Sequence, residues 1–395
     1  MKLNPGFLKL DLFCRGIRID ASCRLNDDAR SVSRTRGGLG SGLEIILPDG
    51  LYANVPIEEH FVAKSPYVLY KKKDTYFIEK ENVKLCTVKI PPRPRFYAQK
   101  TKAGKPMSRI GMMQGTYLGI YPTNICEFWQ MDPRMNCRFC SIGLNVGSTE
   151  ETEKTVEDVM ETVTAAQQEE HITFVHFNTG FLWGDELKIL GPYIKAVKKR
   201  KLMVGVQCPP VAEREYYKNL KKLGVDHLSF CVEVFDKEKF KEICPGKHRY
   251  LTQETYLDTI EYCSKMFGKG RVAGEIIAGL EPVSSTIAAI EYFAKRGVVS
   301  TVCVFRPCLG TDFAHLDPPQ PDELIPVFRR MYEVCMENKI PIGIAPRIKV
   351  SLVLLPEEGR YFVDKDFRRF VFVKLQFTVL KILYRFYLKL RKIFL

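Results

Sequence analysis

The chain has 395 residues, which is enough for two domains or for one barrel with extensions. Apolar residues make up 46% and charged residues 27%, and this ordinary globular composition excludes a mainly disordered chain. The formal net charge is +14, but eight of the basic residues lie in residues 368–395, where there is no acidic residue. About +6 is left for the first 367 residues, which indicates a basic tail and argues against a nucleic-acid-binding protein.

The cysteine content points to a reducing compartment. There are 13 cysteines, an odd number, and the amino terminus lacks the apolar run of a signal peptide. No stretch has about 18 uncharged apolar residues, so no ordinary transmembrane helix is expected. We therefore expect a cytoplasmic protein whose thiols are buried or bind metal, with peripheral contact at the inner face of the membrane through residues 368–395.

The first part of the chain reads as short strands with turns between them. Lys71-Lys72-Lys73-Asp74 separates two apolar runs, which is a hairpin signal, and Pro91-Pro92-Arg93-Pro94 closes the last run. We predict a small β-rich domain over residues 1–110. Its predicted strands are Leu43–Leu47, Tyr67–Tyr70, Thr75–Ile78 and Val83–Ile90.

Residues 111–345 alternate apolar strand-like runs with helical stretches. This βα rhythm predicts parallel strands with crossover helices, in a partial or full TIM-type (β/α) barrel, while a doubly wound sheet remains the alternative. The predicted strands are Gly115–Tyr121, Ile172–Asn178, Leu202–Gln207, His227–Glu233, Val272–Ala278, Val298–Phe305 and Ile340–Ala345. The predicted helices are Thr155–Gln168, Gly184–Lys198, Glu213–Leu223, Gln253–Phe267, Ser284–Arg296 and Asp322–Asn338.

Three cysteines lie in the loop after the first barrel strand. They are Cys126, Cys137 and Cys140, and thiolates suit either zinc or iron–sulfur clusters. A structural zinc site takes four ligands, and no fourth Cys or His lies close by in sequence. Three thiolates suit a [4Fe–4S] cluster that leaves one iron open to a cofactor or substrate.

The Cys137-x2-Cys140 pair, with Phe139 before the second cysteine at the top of a first barrel strand, resembles the radical S-adenosylmethionine (SAM) superfamily. The usual spacing there is Cys-x3-Cys-x2-Cys, whereas ten residues separate Cys126 from Cys137. From about residue 43 to residue 340 the chain also resembles biotin-synthase-related radical SAM proteins, some of them encoded in bacterial nitrilase gene clusters. Three segments carry that likeness: Val206-Gln207-Cys208-Pro209-Pro210, Pro245-Gly246-Lys247 and Phe267-Gly268-Lys269-Gly270-Arg271.

The resemblance implies positions for SAM at the strand ends. The segment ending Asn178-Thr179-Gly180 would receive the SAM amino group. Ser229 and Glu233, on alternate positions of the fourth strand, would face the barrel mouth, where Glu233 would accept hydrogen bonds from ribose hydroxyls. For Glu233, a capping or ion-paired residue is the alternative. Gly274 and Gly279 would approach the adenine, and Pro307 opens a segment similar to the "P-x-x-G-T" of biotin-synthase-like proteins.

The implied function is that of a radical SAM enzyme holding a [4Fe–4S] cluster and SAM. With one electron from a ferredoxin or flavodoxin, it would generate a 5′-deoxyadenosyl radical that takes hydrogen from a small-molecule or lipid substrate. No catalytic residue is assigned beyond the cluster ligands. The alternatives are a non-catalytic zinc or iron–sulfur protein and a membrane-surface scaffold.

Other thiols and one histidine are candidates for further roles. Cys208, Cys231, Cys303 and Cys308 fall on or after barrel strands, which would allow a second cluster, but cysteine is often buried without any such role. His176 lies near the end of the second strand, where it would touch the substrate or be a satisfied core residue.

The last segment, residues 346–395, is predicted to contain a basic amphipathic helix. Lys374, Lys381, Arg385, Lys389 and Lys392 fall within about 80° of one helix face, and most of the remaining surface is apolar. Such a helix would lie in an anionic membrane interface. The alternatives are a helix that caps the open bottom of the barrel and a dimer interface.

Overall fold

The computed structural model describes residues 3–25, 33–34, 41–345, 347–363 and 369–394. The α-helices are α1 (Pro5–Arg15), α2 (Ile142–Asn145), α3 (Val156–Glu170), α4 (Glu186–Lys198), α5 (Glu215–Lys222), α6 (Lys237–Ile243), α7 (Pro245–Tyr250), α8 (Gln253–Phe267), α9 (Val283–Lys295), α10 (Pro321–Glu337) and α11 (Val371–Phe394). The strands are β1 (Arg18–Ile19), β2 (Ser33–Arg34), β3 (Ser41–Ile46), β4 (Tyr52–Val55), β5 (Tyr67–Lys72), β6 (Thr75–Lys80), β7 (Val83–Val88), β8 (Gly111–Gln114), β9 (Tyr117–Ile120), β10 (Phe174–Asn178), β11 (Met203–Gln207), β12 (His227–Glu233), β13 (Val272–Ala278) and β14 (Val299–Val304).

The largest sheet has seven strands in the order β14-β13-β12-β11-β10-β9-β8. Strands β9 to β14 are parallel, whereas β8 pairs antiparallel with β9. Since the order follows the chain without a reversal, the sheet lacks the switch point of a doubly wound fold. Its edge strands β8 and β14 do not pair with each other among the described residues. The sheet is therefore a half-barrel, which confirms the α/β class and the partial form of the predicted barrel.

The predicted seventh strand over Ile340–Ala345 is wrong, because this apolar run has an irregular backbone. Pro341 has no N–H to donate to a ladder, and Gly343 has a φ of 62°, which no strand residue adopts. The run is nevertheless buried at Ile340. Its apolar character reflects burial at the base of the barrel and not sheet pairing.

A segment after this run joins the two edges of the half-barrel. At one edge, the Thr116 N–H donates to the Lys349 carbonyl at 3.0 Å. At the other edge, Leu354 forms an antiparallel bridge with Val302 of β14. Residues 347–355 therefore cover part of the open side of the sheet.

The amino-terminal part packs on the barrel. In this part β5, β6 and β7 pair antiparallel in that order, and β3 pairs antiparallel with β4. It also contains α1, whose first turn is capped by the Asn4 side chain. Its buried residues share one apolar cluster with β13, β14, α9 and α10; Leu12 and Ile45, for example, belong to the same cluster as Val302 and Val327. A domain boundary near residue 110 stays a prediction.

The predicted carboxy-terminal helix is present as α11, although Arg368 and Leu395 lie outside the described residues. Phe377, Tyr384 and Leu388 pack on the rest of the chain, the last two next to Phe174 and Met203 at the amino-terminal ends of strands. Within the described ranges, no helix has the length and apolarity to cross a membrane.

Candidate functional site

One continuous cavity of about 790 Å³ runs through the half-barrel. At the carboxyl ends of the strands it is lined by the three cysteines of the predicted cluster site. At the amino ends it is lined by Phe174, Met203 and residues of α11. The carboxyl end of the strands is where the loops of (β/α) barrels build their active sites.

The ten residues between Cys126 and Cys137 fold into a compact loop. Its two arms are joined by a hydrogen bond from the Met135 N–H to the Phe128 carbonyl, at 2.9 Å. The ring of Phe128 stacks on Phe181, with centroids 4.4 Å apart. The loop thus returns the chain to the same cavity, so that Cys126 joins Cys137 and Cys140 despite the long gap.

The three thiols lie in different electrostatic surroundings. Burial raises the pKa of Cys126 to about 11, although its Sγ accepts a hydrogen bond from the Phe181 N–H at 3.3 Å. Burial also raises the pKa of Cys140. The hydrogen bond with Cys244 lowers the pKa of Cys137, against the effect of burial. Loading a metal here would release protons, since the thiolate is the ligand.

This donor set fits an iron–sulfur cluster. Among the described residues, no group of three His, Cys, Asp or Glu side chains is arranged around a point that would hold a single metal ion. Three thiolates in one cavity suit a [4Fe–4S] cluster, since cysteine thiolates are the usual ligands of iron–sulfur clusters. Cys126, Cys137 and Cys140 would be the residues that hold it.

Gly180 lies directly against the first cysteine. A Cβ at this position would be 2.5 Å from the Cβ of Cys126 and 2.9 Å from the hydroxyl of Tyr121. The Gly180 N–H donates to that hydroxyl at 3.1 Å. The end of β10 and the cysteine loop therefore approach as closely as only glycine allows.

The other residues at the end of β10 also face the cavity. Asn178 and Thr179 line it beside Gly180, and their predicted role toward the SAM amino group stays a prediction. The buried Asn178 Oδ1 has no hydrogen-bond partner among the described residues. The Thr179 hydroxyl lies 3.0 Å from the Gly180 carbonyl oxygen and 3.2 Å from the Thr123 hydroxyl. A buried acceptor without a partner suits a ligand that brings an N–H group.

Glu233 is ion-paired, which was the alternative considered for it. Lys247 donates from Nζ to Glu233 Oε1 at 2.8 Å and to the Cys231 carbonyl at 2.7 Å. Both side chains are about 10% exposed, so the pair lies away from bulk water. Glu233 also has a φ of 71° at a register shift of β12, and backbone strain of this kind is frequent at ligand sites.

A polar network that the sequence did not indicate lies in the middle of the cavity. The carboxylate of Glu275 accepts hydrogen bonds from Ser229, Gln207 and Cys231, the Gln207 contact being 2.8 Å long. Burial raises the pKa of Glu275. Ser229 lines the cavity, but its hydroxyl already donates a hydrogen bond to this carboxylate, and its predicted contact with the cofactor stays a prediction. Glu275 lies within the predicted strand Val272–Ala278, but the sequence alone does not show that its side chain faces inward.

Three of the predicted cofactor residues are not among those that line the cavity. A Cβ at Gly274 would meet the ring of Phe293 at 2.6 Å, so this glycine faces α9 on the outside of the sheet. Gly279 has a φ of 100° and lies against Pro319. Pro307 is buried and does not line the cavity. Gly274 therefore does not face the cavity, and an adenine bound there would not contact it as expected.

The remaining candidates are divided between the cavity and the core. Cys208, Cys231 and Cys303 line the cavity, whereas Cys308 is buried outside it, and a second cluster stays a prediction. His176 also lines the cavity, and burial lowers its pKa to about 3. Its imidazole is therefore neutral at pH 7.

Sequence comparison links the barrel to known proteins. The sequence model of the radical SAM superfamily matches residues 132–309, which contain Cys137 and Cys140 but not Cys126. A bacteriochlorophyllide c C-7(1)-hydroxylase from Chlorobaculum limnaeum is 34% identical over 106 residues. The match covers 27% of this chain and 26% of that protein, so the chain spans about a quarter of the relative's length.

Solved structures with similarity include methylornithine synthase (PylB), with a TM-score of 0.44 and 16% identity over 60% of this chain and 71% of that one. They also include HydG, a maturase of the [FeFe]-hydrogenase, with a TM-score of 0.43 and 19% identity over 55% of this chain and 48% of that one. Streptococcus suis SuiB bound to S-adenosylmethionine has a TM-score of 0.42 and 12% identity over 57% of this chain and 47% of that one. The family match shows that residues 132–309 form a radical SAM domain.

Proposed function

We propose that the protein is a biotin-synthase-related radical SAM enzyme that holds a [4Fe–4S] cluster through Cys126, Cys137 and Cys140. When bound and reduced by one electron from a ferredoxin or flavodoxin, the cluster supplies the reductive cleavage of SAM to methionine and a 5′-deoxyadenosyl radical, which takes a hydrogen atom from the substrate. The observation that carries this proposal is the meeting of the three cysteines in one cavity within a superfamily half-barrel.

The chain's own residues would bind and orient SAM. Asn178 Oδ1 is a buried acceptor, and the neighbouring Gly180 carbonyl offers a second one, which suits the two or three N–H donors of an amino group. Glu233 would accept from ribose hydroxyls, with its carboxylate held in place by Lys247. Asn178, Gly180 and Glu233 line the same cavity, and the proposed roles follow from the chemical type and position of their polar groups.

Exclusion of water is the second task of the site. A closed cavity limits side reactions of a carbon radical, because it keeps solvent-borne reductants away from the radical. Phe128 of the cysteine loop stacks on Phe181, and Tyr250 lies 6.0 Å from the Phe128 ring, so a cluster of aromatic rings adjoins this end of the cavity. The substrate would be a small molecule or a lipid held in this cavity.

The test is anaerobic reconstitution of the full chain with iron and sulfide, followed by dithionite and SAM. We expect about four irons per chain and formation of 5′-deoxyadenosine. The Cys137→Ala variant should lose both. Cys86→Ala is the matched control, since Cys86 lies on β7 and does not line the cavity.

Other outcomes would contradict the proposal. A chain that takes up zinc but no iron would be a structural metal protein. Iron binding without any SAM cleavage, in the presence and absence of cell metabolites, would indicate a non-catalytic cluster. A markedly higher iron content that falls on replacing Cys208, Cys231 or Cys303 would add a second cluster to the site.

A further inference from the structure

The helix α11 presents three distinct surfaces around its axis. The first packs on the barrel through Val373, Phe377, Tyr384 and Leu388. The opposite surface, which we name the apolar arc, consists of Phe372, Leu375, Val379, Ile382 and Phe386. These five side chains are between 48% and 81% exposed. A row of large exposed apolar residues on one helix marks an interaction surface, because soluble monomers rarely expose such a patch.

A row of cations borders the apolar arc. At about 100° per residue, Lys381, Arg385 and Lys389 lie between the packed surface and the arc, and we name them the basic stripe. The helix contains no acidic residue. None of the three stripe residues has a carboxylate within ion-pair distance among the described residues. An apolar surface bordered by unpaired cations is the pattern of a helix that lies in an anionic membrane interface.

Charge argues against a second copy of the chain as the occupant. If two α11 helices paired through the apolar arc, each basic stripe would lie near the other, with no acidic residue on either helix to compensate. Anionic lipid headgroups supply the charge that such a pairing lacks.

The third surface of α11 opens into the barrel. Leu380, Leu383 and Tyr387 lie on the other side of the arc and line the cavity, although Leu383 and Tyr387 are 57% and 51% exposed. Because these side chains line the cavity and are also exposed to solvent, they lie at its opening. The base of the cavity therefore opens along α11, next to the apolar arc.

The lower part of the cavity has a largely apolar wall that includes Phe174, Met203, Ile348, Val350 and Leu352. Polar and charged side chains also line this end, among them Asp226, His227, Lys269 and Arg271. The seven residues of β12 span about 23 Å at roughly 3.3 Å per residue, which approximates the depth of the barrel. One leaflet of a bilayer has a hydrocarbon thickness of about 15 Å, half of the total. An acyl or isoprenoid chain of leaflet length would thus reach from the opening to the polar network around Glu275.

We propose that α11 docks the protein on an anionic membrane and that the substrate is a membrane lipid whose apolar chain enters the barrel at its base. The reacting carbon would lie near Glu275, below the cysteine loop, and the headgroup would remain at the opening. The identity of the reaction rests on the proposed function, whereas docking and chain entry require neither SAM nor an electron.

The docking half is tested by flotation of the full-length protein with vesicles. Vesicles of phosphatidylcholine with phosphatidylglycerol should carry the protein to the top of a density gradient. Vesicles of phosphatidylcholine alone should carry a much smaller fraction of the protein. Reversing two charges with Lys381→Glu and Arg385→Glu should weaken partitioning by at least about 25-fold. The control is Lys241→Glu with Lys295→Glu, which makes the same change of net charge at exposed positions of α6 and α9.

A second variant tests the apolar arc. The exposed positions Phe372, Ile382 and Phe386 are changed to Ser, which should abolish flotation and leave the melting temperature unchanged. Failure of the wild type to bind either vesicle would overturn the docking proposal. So would a wild-type dimer that becomes a monomer in the Ser variant, because the apolar arc would then be an interface between two copies.

The chain-entry half is tested with a phospholipid that carries a photoactivatable diazirine near the end of one acyl chain. After irradiation, peptide mapping should find the label on cavity residues such as Phe174 and Met203. Leu383→Trp, which narrows the opening, should reduce this label several-fold, whereas Val83→Trp on the exposed edge of β7 should not. Label confined to the apolar arc would overturn chain entry. Because this readout is independent of 5′-deoxyadenosine, its failure is distinct from failure of the proposed radical chemistry.

Discussion

At the scale of single residues, the site depends on a contact that a methyl group would prevent. Gly180 belongs to the segment directly after β10 that was expected to receive the SAM amino group, but its main structural effect is on Cys126. The end of β10 approaches the cysteine loop so closely that the Phe181 N–H reaches the Cys126 sulfur at 3.3 Å. The geometry of the first thiolate is thus set by the neighbouring strand and not by its own loop alone.

We predict that Gly180→Ala lowers cluster occupancy. Its Cβ would lie 2.5 Å from that of Cys126, so the cysteine loop must shift by roughly an ångström, the scale at which a site loses its geometry. Iron content after reconstitution should fall below half of the wild-type value. Gly191→Ala in α4 is the control, because nothing lies within 4 Å of a Cβ there, and the helix should gain up to about 1 kcal/mol. Equal iron content in both variants would refute the role of this contact.

At the scale of elements, α3 illustrates how a helix is anchored next to the site. It begins with a capping box in which Thr155 and Asp158 each bind the other's backbone N–H. Asp158 also accepts from the Thr101 hydroxyl and from Lys105, both at 2.8 Å. The start of the helix is therefore fixed to the segment that leads into β8. Burial alone would raise the pKa of Asp158, but these hydrogen bonds lower it to about 2.

We predict that Asp158→Asn costs about 2 kcal/mol of the free energy of unfolding at neutral pH. The folded pKa lies below the ordinary value of 3.8, so this contribution is present above about pH 4 and is lost as the pH falls toward 2. Urea denaturation of wild type and variant should therefore differ by a constant amount from pH 7 to about pH 4 and by less below that. Asp322→Asn, in the exposed first turn of α10, should change stability by under about 0.5 kcal/mol. A pH-independent difference would contradict the assigned cause.

At the scale of the whole molecule, the amino-terminal part and the barrel share a core. Their most specific contact is Arg306, at the end of β14, whose guanidinium is buried. It donates to the side-chain and backbone oxygens of Asn54 at 2.9 and 2.6 Å and lies 4.7 Å from the ring centroid of Phe13. Since a buried cation without these acceptors is costly, the two parts stabilise each other.

We predict that Asn54→Ala lowers the free energy of unfolding by about 3 kcal/mol, because it leaves the buried guanidinium without its side-chain acceptor. We also expect calorimetry to record one transition for wild type and variant, as the apolar cluster spans both parts. Asn219→Ala on the exposed surface of α5 serves as the control and should have little effect. Two separate transitions would show that the amino-terminal part folds on its own.

The sequence alone determined the strand and helix alternation, the cysteine motif and the radical SAM domain, because periodicity and motif spacing are local properties of the chain. The strand predicted over Ile340–Ala345 was wrong, because this segment is apolar through burial and does not pair with another strand. The sequence also did not reveal that Gly274 faces outward or that Glu275 and Lys247 face the cavity, since a strand's inward side is set by the sheet's curvature and register.

Only the tertiary structure decided how distant segments meet. The ten-residue gap before Cys137 was a departure from the superfamily spacing, and the fold of that loop brings Cys126 into the same cavity as the other two thiols. Likewise, the amphipathic pattern of α11 was readable in the sequence, but whether its faces meet barrel or solvent was not. Packing divides the helix between the base of the barrel and the outside, because only part of its apolar surface finds a partner among the described residues.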